Sequence, residues 1–446
     1  MSFLNGRSEW HFYFISYLCE LKAKRIMKNT MKYRLIGLSF LQFAVWGAYL
    51  ISMGGYLFNA GMGDKIGYFY AMQGVVSLFM PALMGIVADR WVPAQKLLAG
   101  CHLLSALCMS LVGYMAIAAD ASPSFLSLMV PYSLAVAFYM PTLALSNSVS
   151  YTAMEKVGLE PVKSFPSIRV FGTIGFICSM LLTDVCGFQT TPMQFFLSAA
   201  IGVVATGYSL TLPACPTANK SAGKTWKDVL GVNAFALFKQ RKMALFFIFS
   251  ILLGVALQIT NGFANPFLNS FASIPEYADA FGVRHANALI SLSQLSETFC
   301  LLLIPFALRR FGIKYVMLIA MLCWVLRFGL FGLGNPGDGV WMFVLSMIVY
   351  GVAFDFFNIS GSLFVNNETD LSMRSSAQGL FMMMTNGFGA TIGTVIAQQV
   401  VNRFVDFSSD APQVEGWSKA WFIFAGYMLV VSLLFALLFK YKHTQK

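Results

Sequence analysis

Charge is scarce in this chain: only 11% of its 446 residues are Asp, Glu, Lys or Arg. Soluble domains carry about a quarter, so a water-facing surface is excluded for most of the molecule. Histidine is scarcer, at positions 11, 102, 285 and 443 with no HExxH pair, which leaves a metal centre little to be built from. The cysteines, at 19, 101, 108, 178, 186, 215, 300 and 323, show no CxxC spacing and are expected as free thiols. Gly223-Lys224-Thr225 looks like the end of a phosphate-binding loop, but Ala218 stands where its first glycine is needed, so ATP-driven chemistry is discounted. With no nucleophile or metal constellation, neither an enzyme nor a bound cofactor is expected. The alternating ten-residue segments of a transmembrane barrel are missing too.

What the chain has is apolar length: 58% of it is hydrophobic and its mean hydropathy is +0.69. A spanning helix needs roughly 20 apolar residues, and about twelve such runs occur. They cover 35–58, 66–88, 97–119, 125–148, 168–186, 193–212, 243–267, 286–308, 315–333, 340–365, 377–400 and 417–438. The expected fold is an all-α polytopic membrane protein with twelve transmembrane helices. Lys and Arg gather in cytoplasmic loops, and placing both termini inside leaves only Lys65, Arg284, Arg403 and Lys419 outside, with Arg169 and Arg327 within spans. The net charge of +11 therefore reflects topology and anionic lipid headgroups, and no nucleic-acid partner is expected.

Residues 1–30 stand apart. His11 to Cys19 is apolar but too short to span, and the charged stretch Glu20 to Lys28 follows. Met31-Lys32-Tyr33-Arg34 reads as a more natural start, which makes residues 1–30 an over-extended or mobile N-terminal extension. The longest polar interruption, 213–242, carries Lys220, Lys224, Lys227, Lys239, Arg241 and Lys242 against the single acid Asp228. It is expected as a cytoplasmic linker between a six-helix half at 31–212 and another at 243–446, the latter with a short basic tail. Gln42 and Gln258 are separated by the same interval as Val136-Ala137-Phe138 and Val352-Ala353-Phe354, a weak echo of repetition. Two parallel halves around a central site is the major-facilitator plan. Gly85-x-x-x-Asp89-Arg90, placed in the loop after span 2, resembles the gating signature of that superfamily: a close-packed glycine, then an acid and a base that latch helix ends.

Acids near a bilayer centre cost about 2.5–3.5 kcal/mol on the insertion scale and persist where a polar path needs them. Glu297 and Asp355 stand in such positions. Around them, Gln258, Asn261 and Asn265 recur on one face of span 7, Gln294 and Glu297 share a face of span 8 beside Ser293, and Tyr350, Phe354 and Asn358 form a stripe on span 10. Lipid offers no hydrogen-bond partner, so these faces turn inward. For Gln258 and Asn261 alone, polar glue between helices explains the pattern as well as a site does.

Several stretches together resemble the nucleoside:proton symporter family of the major-facilitator superfamily. They are Leu38 to Gly47 around Gln42 and Trp46, Phe165-Pro-Ser-Ile-Arg169-Val-Phe-Gly172-Thr173-Ile-Gly175-Phe176, Leu257-Gln258-Ile-Thr-Asn261, Ser293-Gln294-Leu-Ser-Glu297-Thr and Val349 to Gly361. The likeness runs from about Met31 to His443. It implies uptake of purine and pyrimidine nucleosides with protons by alternating access, in a bacterial cytoplasmic membrane, by a monomer. It implies substrate contacts at Arg169, Thr173, Phe176, Gln258, Asn261, Gln294, Glu297, Tyr350 and Phe354, with Asp355, or else Glu297, carrying the proton. Arg327 is a candidate partner of Asp355 in the empty carrier, or else an anchor near the outer interface. A sugar or organic-anion symporter of the same fold, or an exporter, remains open from the residues alone.

Overall fold

The computed structural model describes residues 3–119, 123–215, 232–369, 374–407 and 412–441. Among these, every regular element is helical. The main helices are α1 (Phe3–Gly47), α2 (Ile66–Ser77), α3 (Met80–Arg90), α4 (Ala94–Ala118), α5 (Phe125–Lys156), α6 (Pro161–Val185) and α7 (Met193–Leu210). After the 213–242 stretch, of which 216–231 lies outside the described residues, come α8 (Arg241–Ser270), α9 (Ala286–Leu333), α10 (Val340–Glu368), α11 (Arg374–Met382), α12 (Ala390–Phe404) and α13 (Val414–Leu438). Ten described helical stretches are long and apolar enough to cross a bilayer.

The expected segments differ from the helices where glycine and proline sit. Segments 286–308 and 315–333 are not parted by a loop: α9 runs through Arg309 and Arg310 and breaks at Gly312, whose φ of 75° is open to glycine at little cost. Segment 66–88 divides into α2 and α3 at Leu78 and Phe79, with Pro81 in the first turn of α3, where a missing N–H is harmless. Segment 377–400 divides around a wide turn at Met383–Gly389. Helix α1 ends at Gly47, short of residue 58, and begins at Phe3, so the backbone of residues 3–30 continues the first expected span as one helix. The motif Gly85-x-x-x-Asp89-Arg90 lies within α3 and not in a loop. Gly85 is not close-packed either, since an added Cβ there would meet nothing within 4 Å. The side chain of Asp89 lies outside the described residues, and Arg90 is exposed.

Helices α1 and α6 approach backbone to backbone. A Cβ on Gly47 would strike the Phe176 carbonyl, and one on Gly175 the Phe40 carbonyl, so these glycines set the spacing. Farther along the chain, Phe267 packs against Phe331, Phe343, Trp417 and Trp421 in an aromatic core joining α8, α9, α10 and α13. Two groups of contacts define the ends of the molecule. Arg34 and Lys156 bond the Thr211 and Ala214 carbonyls, and Lys242 meets Glu368 at 2.9 Å and the ring of Tyr441, which gathers these termini on the side of the 213–242 connection. Asp184, Gln189, Arg284 and His285 cluster at the remote end, as do Gly63, Gly67, Gln398 and Asn402.

Candidate functional site

Helix α6 packs against α9, bringing Arg169 to Glu297. The half-buried Arg169 guanidinium lies 3.8 Å above the Phe43 ring, held there by the close approach of α1, and interacts electrostatically with Glu297. A small crevice between α1, α5 and α6 is lined by Ser39, Gln42, Phe43, Asn147 and Arg169 among others. Glu297 in turn interacts electrostatically with Asp355 on α10. Asp355 is 5% exposed, and its Oδ2 has no hydrogen-bond partner. Tyr350 and Phe354 stack with centroids 5.7 Å apart and planes 3° from parallel, a flat aromatic wall beside the two acids. Asn358 caps the stripe by donating from Nδ2 to the Phe354 carbonyl at 2.9 Å.

Arg169, Glu297, Tyr350, Phe354 and Asp355 are thus drawn into one cluster by three helices. Phe176 is buried and meets Trp46 edge-on at 6.4 Å, while Thr173 on the same helix is half-buried. Gln258 and Asn261 bond each other, Nδ2 donating to Oε1 at 3.3 Å, and both are half-buried. Asn265, one turn farther along the same continuous helix, is fully buried. It donates to Asn287 Oδ1 at 2.9 Å and accepts from Asn269, so it ties α8 to α9 as glue. Gln294 is buried, and its carbonyl accepts from Thr298.

Arg327 is placed differently from either expectation. At 2% exposure it is buried in the protein, and its described bonds go to the Ser346 carbonyl at 2.6 Å, Ser293 Oγ at 3.4 Å and Met347 Sδ at 3.8 Å, not to Asp355. Its guanidinium lies 4.7 Å from the centre of the Tyr350 ring, supporting the aromatic wall by a cation–π contact. Nε is left without a partner. The sequence gives Arg327 a neighbouring helix to Asp355 but not the rotamer, and the carbonyl in reach decides that.

A second polar network escaped sequence reasoning. Gln42 donates to Thr142 Oγ1 at 2.7 Å, pairs through Oε1 with His102 Nε2 at 3.0 Å, and accepts on its carbonyl from the Tyr139 hydroxyl at 2.7 Å. Tyr139 lies within electrostatic reach of Arg169, so this network backs the cluster from α1, α4 and α5. Its signals in the sequence are a lone histidine in an apolar span, His102, and Gln42 in the family-like stretch of the first span.

Comparison with known proteins places the chain in a family. The family model described as Nucleoside H+ symporter matches residues 27–444. Nucleoside permease NupG of Escherichia coli (strain K12) is 45% identical over 419 residues, covering 93% of this chain and 97% of that protein. Xanthosine permease of the same organism is 45% identical over 413 residues, covering 92% and 96%. A crystal structure of the nucleoside transporter NupG superposes with a TM-score of 0.83, covering 92% of this chain and 100% of that one. A chain matched over nearly its whole length by the family model, by both permeases and by that fold belongs to the nucleoside H+ symporter family.

Proposed function

We propose that the protein carries nucleosides together with protons across the bacterial cytoplasmic membrane by alternating access. The observation that carries this reading is that Arg169, from before the 213–242 connection, interacts electrostatically with Glu297, from after it, which in turn interacts with Asp355 and Tyr350 beside the stacked Phe354 ring. A binding site shared across that connection changes its exposure when the two groups of helices rock. The relatives' names, a nucleoside permease and a xanthosine permease, supply the substrate class.

The residues fit that substrate. A base needs an aromatic face and a few edge hydrogen bonds, which Tyr350, Phe354 and Phe176 can offer alongside Arg169 and Thr173. Ribose hydroxyls suit Glu297 with Gln294, Gln258 and Asn261. Asp355, buried with an oxygen that lacks a partner, is the place for the proton. The same reading takes the kinked α9 as two spans and the latter part of α1 as another, giving twelve in two halves of six joined by 213–242, with both termini inside, working as a monomer in the lipid bilayer. The Gly85, Asp89 and Arg90 segment at the end of α3 is taken as part of the cytoplasmic gate.

Uptake of labelled uridine, inosine and xanthosine into proteoliposomes tests this. Competition by unlabelled nucleosides and not by sugars is expected; competition by sugars instead would assign another solute to the same fold.

A further inference from the structure

Every described hydrogen bond joining helices before residue 216 to helices after residue 231 lies at the end of the molecule remote from that connection. Where α2 meets α12 these bonds are neutral: Gln398 accepts from the Gly67 N–H and donates to the Gly63 carbonyl, and Asn402 donates to the Asp64 carbonyl. Where α6 meets α9 an ionisable pair stands instead. Asp184 Oδ2 and His285 Nδ1 are 2.9 Å apart, and Gln189 Nε2 donates to the adjacent Arg284 carbonyl at 2.6 Å.

Neither residue is placed for the comfort of its own helix. Asp184 lies in the last turn of α6, where the helix dipole disfavours an acid, and it is 4% exposed with Oδ1 lacking a partner. His285 immediately precedes α9, at the end where a cation is disfavoured, and its ring is half-exposed beside Phe281. The nearby Arg284 is engaged by Asp279, and both are exposed. A buried acid in such a position is compensated by its partner across the junction. If the two helices part, water reaches both groups, so the contact is one that can be broken and remade.

We propose that Asp184 and His285 form a latch holding this face closed in the present conformation, and that it parts when the face opens. The inference rests on the alternating-access reading, with this face as the outer one. The test uses the full chain in lipid nanodiscs, in a background with all native cysteines replaced by serine. Spin labels go on Tyr114→Cys and Glu415→Cys, at exposed sites on the remote ends of α4 and α13. Asp184→Asn and His285→Gln are each expected to raise the ratio of long to short label distances about tenfold, the size of one charge-assisted hydrogen bond. Combining them should add nothing further, and the swap Asp184→His with His285→Asp should restore the wild-type ratio. Folded single variants with unchanged distances, or a double variant whose effect is the sum of the two, would overturn the latch. If Asp184→Asn fails to fold, the half-exposed His285→Gln and the swap still decide. Wild-type uridine uptake in the same lipid is the separate check on the transport reading, since its absence leaves the distance comparison intact.

Discussion

Glu297 and Asp355 interact electrostatically from α9 and α10, and the proposed function assigns them different work. Glu297 interacts electrostatically with Arg169. Asp355 is enclosed and leaves one oxygen unsatisfied. Glu297→Gln keeps the shape and removes a charged acceptor, so nucleoside affinity is expected to fall by at least tenfold, equivalent to the ~1.5–3 kcal/mol of a charge-assisted hydrogen bond. Equilibrium binding to the purified variant checks this. Asp355→Asn mimics a permanently protonated side chain. It is expected to bind and exchange nucleoside across the membrane but not to concentrate it, because no proton release resets the carrier. Counterflow and gradient-driven uptake measured side by side separate the two roles, and a coupled Asp355→Asn beside an uncoupled Glu297→Gln would reverse them. Both acids were legible from sequence, because a carboxylate in an apolar run has few innocent explanations. Asp184 and His285 were not, since they meet across 101 residues of chain and no local pattern joins them.

At the scale of the helix, glycine decides where elements stop and how closely they approach. Gly312 interrupts α9 with φ 75° and ψ 168°, a conformation costing a residue with a Cβ on the order of 1–3 kcal/mol. Gly312→Ala is expected to lower the thermal unfolding midpoint, and an unchanged midpoint would argue against strain there. Gly175→Val pushes a side chain into the Phe40 carbonyl of α1, an overpacking worth ~1–3 kcal/mol, and should weaken both stability and uptake. Gly207→Ala is the contrast, because its Cβ would enter open space and helix propensity favours alanine, so that variant should melt no lower than wild type. The helices themselves were readable as apolar runs. Their breaks were not, since the turn at Gly312 needs no loop and the wide turn at Met383–Gly389 occurs within an otherwise continuous pattern. The expected close packing of Gly85 failed for a related reason: a glycine in a motif does not say which helix, if any, lies against it.

For the whole molecule, the described hydrogen bonds that join helices before the 213–242 connection to helices after it gather at the end remote from that connection. Residues 3–30 form the leading part of α1, and a chain begun at Met31 is expected to insert and transport as the full one does; failure to reach the membrane would show that the extension matters. The central claim concerns coupling. A proton gradient equivalent to about 150 mV is worth about 3.5 kcal/mol per proton, enough for a few hundredfold accumulation at one-to-one coupling. The most direct measurement is labelled uridine uptake into proteoliposomes under an imposed pH gradient. Accumulation above the external concentration when the outside is acidic, abolished by a protonophore, is the predicted result. Accumulation that persists with the protonophore, or that follows a sodium gradient instead, would contradict it.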